Sequence, residues 1–186
     1  QREVLTVDGD EVSCDPDGKP VAYVFKTIAD QFGRYSYVKV MSGKITADMS
    51  LYNPRTRSTD KLGRLYRMTG KKAVEVKEIC CGDIGAVGKM EWKTGDTLCD
   101  SKSEVVLPGI TVPEPCSSMA ISPKTKGQED KIASGLTRLN EEDISFTVVN
   151  NAETKQLVLS GQGDIQLDVL CSKLKSRFSV EAVLTE

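Results

Sequence analysis

A chain of 186 residues with 39% apolar, 28% charged and only 5% aromatic residues has the composition of a globular protein, long enough for one large or two small domains with aliphatic cores. Six cysteines without a single histidine or Cys-x-x-Cys spacing argue against a zinc site, and no apolar run reaches the ~18 residues that a membrane-spanning helix needs. The net charge of −2 hides an uneven distribution, with net −4 over residues 1–19 and net +6 over residues 55–77.

Residues 1–19 are polar and acidic, carry the turn signal Asp15-Pro16-Asp17-Gly18, and read as a linker. Strands are expected at Val21–Ile28, Tyr35–Met41, Met49–Asn53 and Leu62–Met68. Each is a short run enriched in β-branched and aromatic residues and bounded by Gly, Asn or Pro. Two Gly-Asp turns, Gly82-Asp83 and Gly95-Asp96, bracket a further apolar strand and lead into another, as at tight barrel corners. Many short strands without helices predict a closed barrel or sandwich over residues 20–100. Residues 101–115 hold Pro108, Pro113 and Pro115, which break both periods and place a hinge there.

Beyond the hinge, residues 116–186 alternate. A strand at Ser117–Ser122 precedes a helix from Gln128 to Glu142, with Ile132, Leu136 and Leu139 on one face. Strands at Ser145–Val149 and Gln156–Ser160 flank the turn formers of residues 150–155. A second helix, Asp164 to Phe178, carries Leu167, Leu170, Cys171, Leu174 and Phe178 as its stripe, and Val180–Val183 closes the pattern. The order β-α-β-β-α-β is the split βαβ, ferredoxin-like arrangement.

Several of these segments resemble elongation factor G. Residues 22–30, Ala-Tyr-Val-Phe-Lys-Thr-Ile-Ala-Asp, resemble the opening strand of its domain II, and Lys61-Leu62-Gly63-Arg64-Leu65 its mid-barrel strand. Gly82-Asp83-Ile84 and residues 94–99 are similar to its closing corners. Ile121 to Lys126 looks like the first strand and loop of domain III. Residues 160–169 look like that domain's Ser-Gly-x-Gly-acidic-x-x-Leu-acidic signature. Two departures stand out: Gln166 occupies a position that is usually histidine, and the loop Asp30–Arg34 is short. Tetracycline-resistance ribosomal protection proteins share the architecture and can carry glutamine at the Gln166 position; release factors belong to the same superfamily.

The resemblance implies a β barrel of the translation-factor type (20–100) followed by an α+β ferredoxin-like domain (116–186). Residues 1–19 would then link to a missing upstream GTPase domain holding GTP and magnesium (Mg), and further domains would lie downstream. It implies a cytoplasmic, monomeric factor that binds the ribosome through small-subunit rRNA and ribosomal proteins. Such a fragment would relay changes in the GTPase domain without hydrolysing GTP, because it contains no Gly-x-x-x-x-Gly-Lys-Ser/Thr phosphate loop.

The basic segment supplies the candidate contacts Arg55, Arg57, Lys61, Arg64, Arg67, Lys71 and Lys72, with Lys124 and Lys126 as a second patch. Cations clustered in this way neutralise phosphates; they are equally compatible with a solvated hairpin face, which would leave the chain a protein–protein docking module without RNA contact. No catalytic, cofactor or metal residues are expected. Glu141-Glu142 and Asp164/Asp168 are the available carboxylate pairs, and neither is placed in a cleft. The even count of cysteines could suggest disulfides, but Cys80, Cys99, Cys116 and Cys171 sit in apolar contexts and read as reduced small hydrophobes, with Cys80 and Cys81 pointing to opposite faces of a strand.

Overall fold

The computed structural model describes residues 3–30, 33–70, 72–154 and 156–185. The chain folds as two units that divide between Ile110 and Thr111, within the span expected to form the hinge.

The first unit is built of twelve strands among the described residues. They are β1 (Glu3–Leu5), β2 (Glu11–Ser13), β3 (Val21–Asp30), β4 (Gly33–Ser42), β5 (Lys44–Thr46), β6 (Ser50–Asn53), β7 (Ser58–Lys61), β8 (Leu65–Thr69), β9 (Lys72–Val76), β10 (Glu78–Cys80), β11 (Ile84–Gly88) and β12 (Thr97–Cys99). Eight of them form one antiparallel sheet in the order β7-β6-β12-β3-β4-β11-β8-β9, and β5 pairs with β10. Val38 and Val40 on β4 are fully buried, alternating with half-buried Tyr37 and Lys39, as a one-sided sheet requires. Leu51 of β6 and Leu65 of β8 lie towards opposite flanks of the sheet, yet both join one core with Val24, Ile45 and Leu98. The sheet is therefore rolled into a barrel. A bulge at Phe25 shifts the register of β3 against β4 and turns the ring outward, edge-on to Tyr37 at 6.3 Å.

The barrel also closes around Trp92, which is 2% exposed. Its indole N–H donates to Asp60 on β7 at 2.8 Å, and its carbonyl accepts from Arg34 on β4 at 3.2 Å. Gly85 is required by packing: a Cβ there would collide with Cδ1 of Ile79.

The span expected to link, residues 1–19, is not featureless between Glu3 and Ser13. These residues form the hairpin β1–β2, and Val12 packs with Val21, Cys99 and Leu107 in a satellite core. The Val7 N–H donates to the Val106 carbonyl, and the Leu107 N–H to Thr97 Oγ1 at 2.9 Å. Burying Val12 and Leu107 outweighs the acidic character of the hairpin, whose carboxylates stay in water. The strand expected from Leu62 begins only at Leu65, because residues 62–64 cross between β7 and β8; Leu62 still enters the core.

The second unit contains β13 (Ser117–Pro123), α1 (Glu129–Glu142), β14 (Thr147–Asn151), β15 (Gln156–Gly161), α2 (Asp164–Phe178) and β16 (Ala182–Thr185). Its antiparallel sheet runs β14-β15-β13-β16, the ferredoxin-like order. Both helices pack against the sheet and against each other through Ile132, Leu136, Leu139, Leu167, Leu170 and Leu174. A Cβ on Gly135 would sit 2.7 Å from Leu174 Cδ2, so glycine is what lets α1 and α2 approach. The Arg177 guanidinium of α2 donates to both carboxylate oxygens of Glu142, at 2.9 and 2.8 Å, and ties the helix ends together.

Candidate functional site

The basic segment of the first unit rises on the hairpin β8–β9, which turns at Gly70 with φ +58°. Arg64, Arg67 and Lys72 are exposed on and beside it, while Lys71 lies outside the described residues. Arg64 reaches Glu75 at 3.8 Å and Arg67 reaches Asp83 at 3.6 Å, both as loose, water-exposed ion pairs. Arg57 precedes β7 and Lys61 ends it, on the other flank of the sheet; Lys61 pairs with Asp48 at 3.2 Å, again in water. Exposed pairs of this kind hold their cations by about 0–1 kcal/mol, so a polyanion can draw them away. Arg57 and Lys72 have no ion pair among the described residues.

Arg55 is different. Its Nε and NH2 groups donate to the two carboxylate oxygens of Asp96 at 2.5 and 2.9 Å. Asp96 also accepts from Asn53 Nδ2 and from the Lys93 N–H, each at 2.9 Å, and is 4% exposed. Burial pushes its carboxyl up. The hydrogen bonds from Arg55, Lys93 and Asn53, with the Arg55 charge, outweigh burial and hold it below the ordinary carboxylate range. The Gly95-Asp96 corner thus does more than turn the chain: Asp96 clamps the end of β6 to the turn before β12. Arg55 belongs first to that clamp, although its side chain remains 44% exposed.

In the second unit the Lys124 ammonium donates to Glu181 at 3.0 Å, and Lys175 on α2 reaches the other oxygen of the same carboxylate at 2.8 Å. The two ammonium groups, Lys175 foremost, hold the Glu181 carboxyl down to about 2. Two cations share one anion, leaving this patch net positive beside exposed Lys126. Sequence reasoning missed Lys175 and Glu181; only the return of the chain after α2 brings them to Lys124.

The Ser160–Val169 signature is a joint. Gln166 Oε1 accepts from the Gln162 N–H at 2.7 Å, and its Nε2 donates to Ser145 Oγ at 2.7 Å and Asp143 at 3.4 Å. A Cβ on Gly161 would lie 2.7 Å from Gln166 Oε1, which explains the glycine. Asp164 accepts from Ser117 at 2.8 Å, while Asp168 is exposed. No three Cys, Asp or Glu side chains among the described residues are placed to hold a metal ion.

A groove of about 310 Å³ crosses the outer face of the barrel, lined by apolar side chains such as Tyr23, Phe25, Met41 and Leu107 and by Lys39. None of the described helices is long and apolar enough to cross a membrane.

Comparison with known proteins agrees with this architecture. Residues 19–101 match the family described as elongation factor G domain 2, and residues 112–186 match elongation factor G, domain III. Among solved structures, a protein of Thermus thermophilus superposes with a TM-score of 0.81 at 29% sequence identity, over 91% of this chain and 26% of the other. The chain thus spans about a quarter of the length of that relative. With the rolled barrel and the ferredoxin-like unit both in place, the chain belongs to the elongation factor G family, of which it carries domains II and III.

Proposed function

We propose that this chain is the central, ribosome-binding part of an elongation-factor-G-like GTPase that promotes movement of tRNA and mRNA in the cytoplasm. In this reading the barrel rests on small-subunit rRNA through Arg57, Lys61, Arg64, Arg67, Lys71 and Lys72. Lys124 and Lys126 make a second contact, and Arg55 contributes through its solvent-facing edge. GTP and magnesium would be held by a domain outside this chain, and the two units would pass its changes onward without hydrolysing nucleotide.

The observation that carries the reading is the state of the cations on a protein of this family. Arg64 and Arg67 keep 74% and 65% of their side-chain surface in water and have only loose partners. Backbone phosphates of RNA recruit such groups by charge and shape, without reading sequence. Cross-linking the chain to ribosomal subunits tests this. Adducts on small-subunit rRNA from the β8–β9 hairpin are expected. Adducts on proteins alone would instead make the chain a docking module. Measurable GTP turnover by the purified chain would contradict the division of labour.

A further inference from the structure

Two cysteines 67 positions apart are brought together where the N-terminal hairpin meets a barrel corner. Cys14 follows β2, and Cys81 follows β10. A single glycine joins the two segments: the Gly43 N–H donates to the Asp15 carbonyl at 2.8 Å, and the Gly43 carbonyl accepts from the Cys81 N–H at 2.9 Å. The next residue, Gly82, is also held, donating to the Val40 carbonyl at 2.8 Å. A Cβ built on Gly82 would lie 3.7 Å from Cys14 Sγ, so the Cys14 sulfur sits over the Cys81-Gly82 turn. The Cys14 sulfur therefore lies beside the Cys81 thiol and opposes its ionisation. Cys14 is exposed and Cys81 half-buried.

We propose that Cys14 and Cys81 are an oxidative modification site, a thiol pair that a low-molecular-weight disulfide such as oxidised glutathione closes into an intramolecular disulfide. This inference stands apart from the ribosome-binding reading. The geometry divides the roles. Cys14, facing solvent, meets the oxidant: its thiolate attacks one sulfur of the small disulfide, forming a mixed disulfide and releasing one small thiolate. Cys81 then loses its proton to solvent and attacks the Cys14 sulfur, expelling the second small thiolate. Two protein thiols are oxidised and one small disulfide is reduced to two thiols. Burial, followed by the neighbouring Cys14 thiol and the nearby charges of Cys14, Cys80 and Asp15, pushes the Cys81 thiol up to about 11, so it stays protonated while Cys14 meets the oxidant and ring closure is limited by its deprotonation. Cys80 ends β10 opposite Lys44, with its side chain directed to the other face of the strand.

The test incubates the folded 186-residue chain with oxidised glutathione, alkylates the remaining thiols and maps the peptides by mass. The expected product links Cys14 to Cys81, is two hydrogens lighter, and leaves four cysteines alkylated. Cys80→Ser should leave the yield unchanged. Cys14→Ser, at an exposed position, should abolish the link without affecting the fold read by circular dichroism. Ring closure should slow at least tenfold in concentrated urea, because the fold supplies the effective concentration. A persistent mixed disulfide at Cys14 with Cys81 still alkylated, a bond formed by Cys80 instead, or equal rates in urea would overturn the proposal.

Discussion

Asp96→Ala probes the most densely bonded polar group of the barrel. Removing the carboxylate strands the Asn53 amide, which is 0% exposed, and the Lys93 N–H without their acceptor. Each loss costs about 1–3 kcal/mol. The Arg55 guanidinium, partly in water already, returns to solvent and adds only about 0–1 kcal/mol. Together these predict a loss of about 2–7 kcal/mol. Urea unfolding followed by tryptophan fluorescence reads the first unit specifically, because Trp92 is the single tryptophan and lies in its core. The pH dependence follows from the lowered carboxyl. The difference between wild type and Asp96→Ala should be full above the ordinary value of 3.8 and shrink only as the pH falls through the lower folded value. A loss below about 1 kcal/mol, or a difference that begins to collapse above about pH 5, would refute the reasoning, since the latter is the behaviour of a carboxylate ruled by burial alone.

Other predictions concern packing and the second unit. Gly85→Ala should destabilise the barrel by about 1–3 kcal/mol through the clash with Ile79, and Ile79→Ala should relieve part of that clash in the double variant. Gln166→Ala should cost about 1–3 kcal/mol by leaving the Gln162 N–H without its acceptor and the Ser145 hydroxyl without its donor. Because both described helices lie in the second unit, far-UV circular dichroism should follow that loss while Trp92 fluorescence does not. Glu181, held at about 2 by Lys175 and Lys124, contributes stability that is present above the ordinary glutamate value and lost as the pH falls through about 2. Acid unfolding of Glu181→Gln should lack that component; an unchanged acid limb would count against the shared ion pair.

The parts of the fold legible in the sequence were those where apolar periodicity speaks for burial. The stripe Leu167, Leu170 and Leu174 marked α2 at its observed bounds, and Ile132, Leu136 and Leu139 marked α1 within one residue. Strands β7 and β9 escaped notice because Ser58–Lys61 and Lys72–Val76 are mostly exposed and take their place from hairpin pairing. The β1–β2 hairpin was hidden by its carboxylates, although Val4 and Val12 face each other across it. At the candidate site, the density of positive charge was visible and its partners were not. Arg55 and Asp96 are 41 positions apart, and Lys124 and Glu181 57. Such pairs are set by topology, which places the end of β6 beside a corner before β12 and the chain after α2 beside β13. The same holds for Cys14 and Cys81, 67 positions apart, whose proximity no local pattern signals.

The central claim is that the exposed cations bind the phosphates of small-subunit rRNA. Its most direct test is the affinity of the 186-residue chain for small ribosomal subunits across a salt series, for wild type and the Arg64→Glu/Arg67→Glu variant. The eight phosphate contacts of this reading, from Arg57, Lys61, Arg64, Arg67, Lys71, Lys72, Lys124 and Lys126, predict a log–log slope of about −6 to −7, and the double variant should bind more weakly with a slope shallower by about two. Binding that ignores salt, or that survives the double charge reversal with its slope intact, would contradict the account.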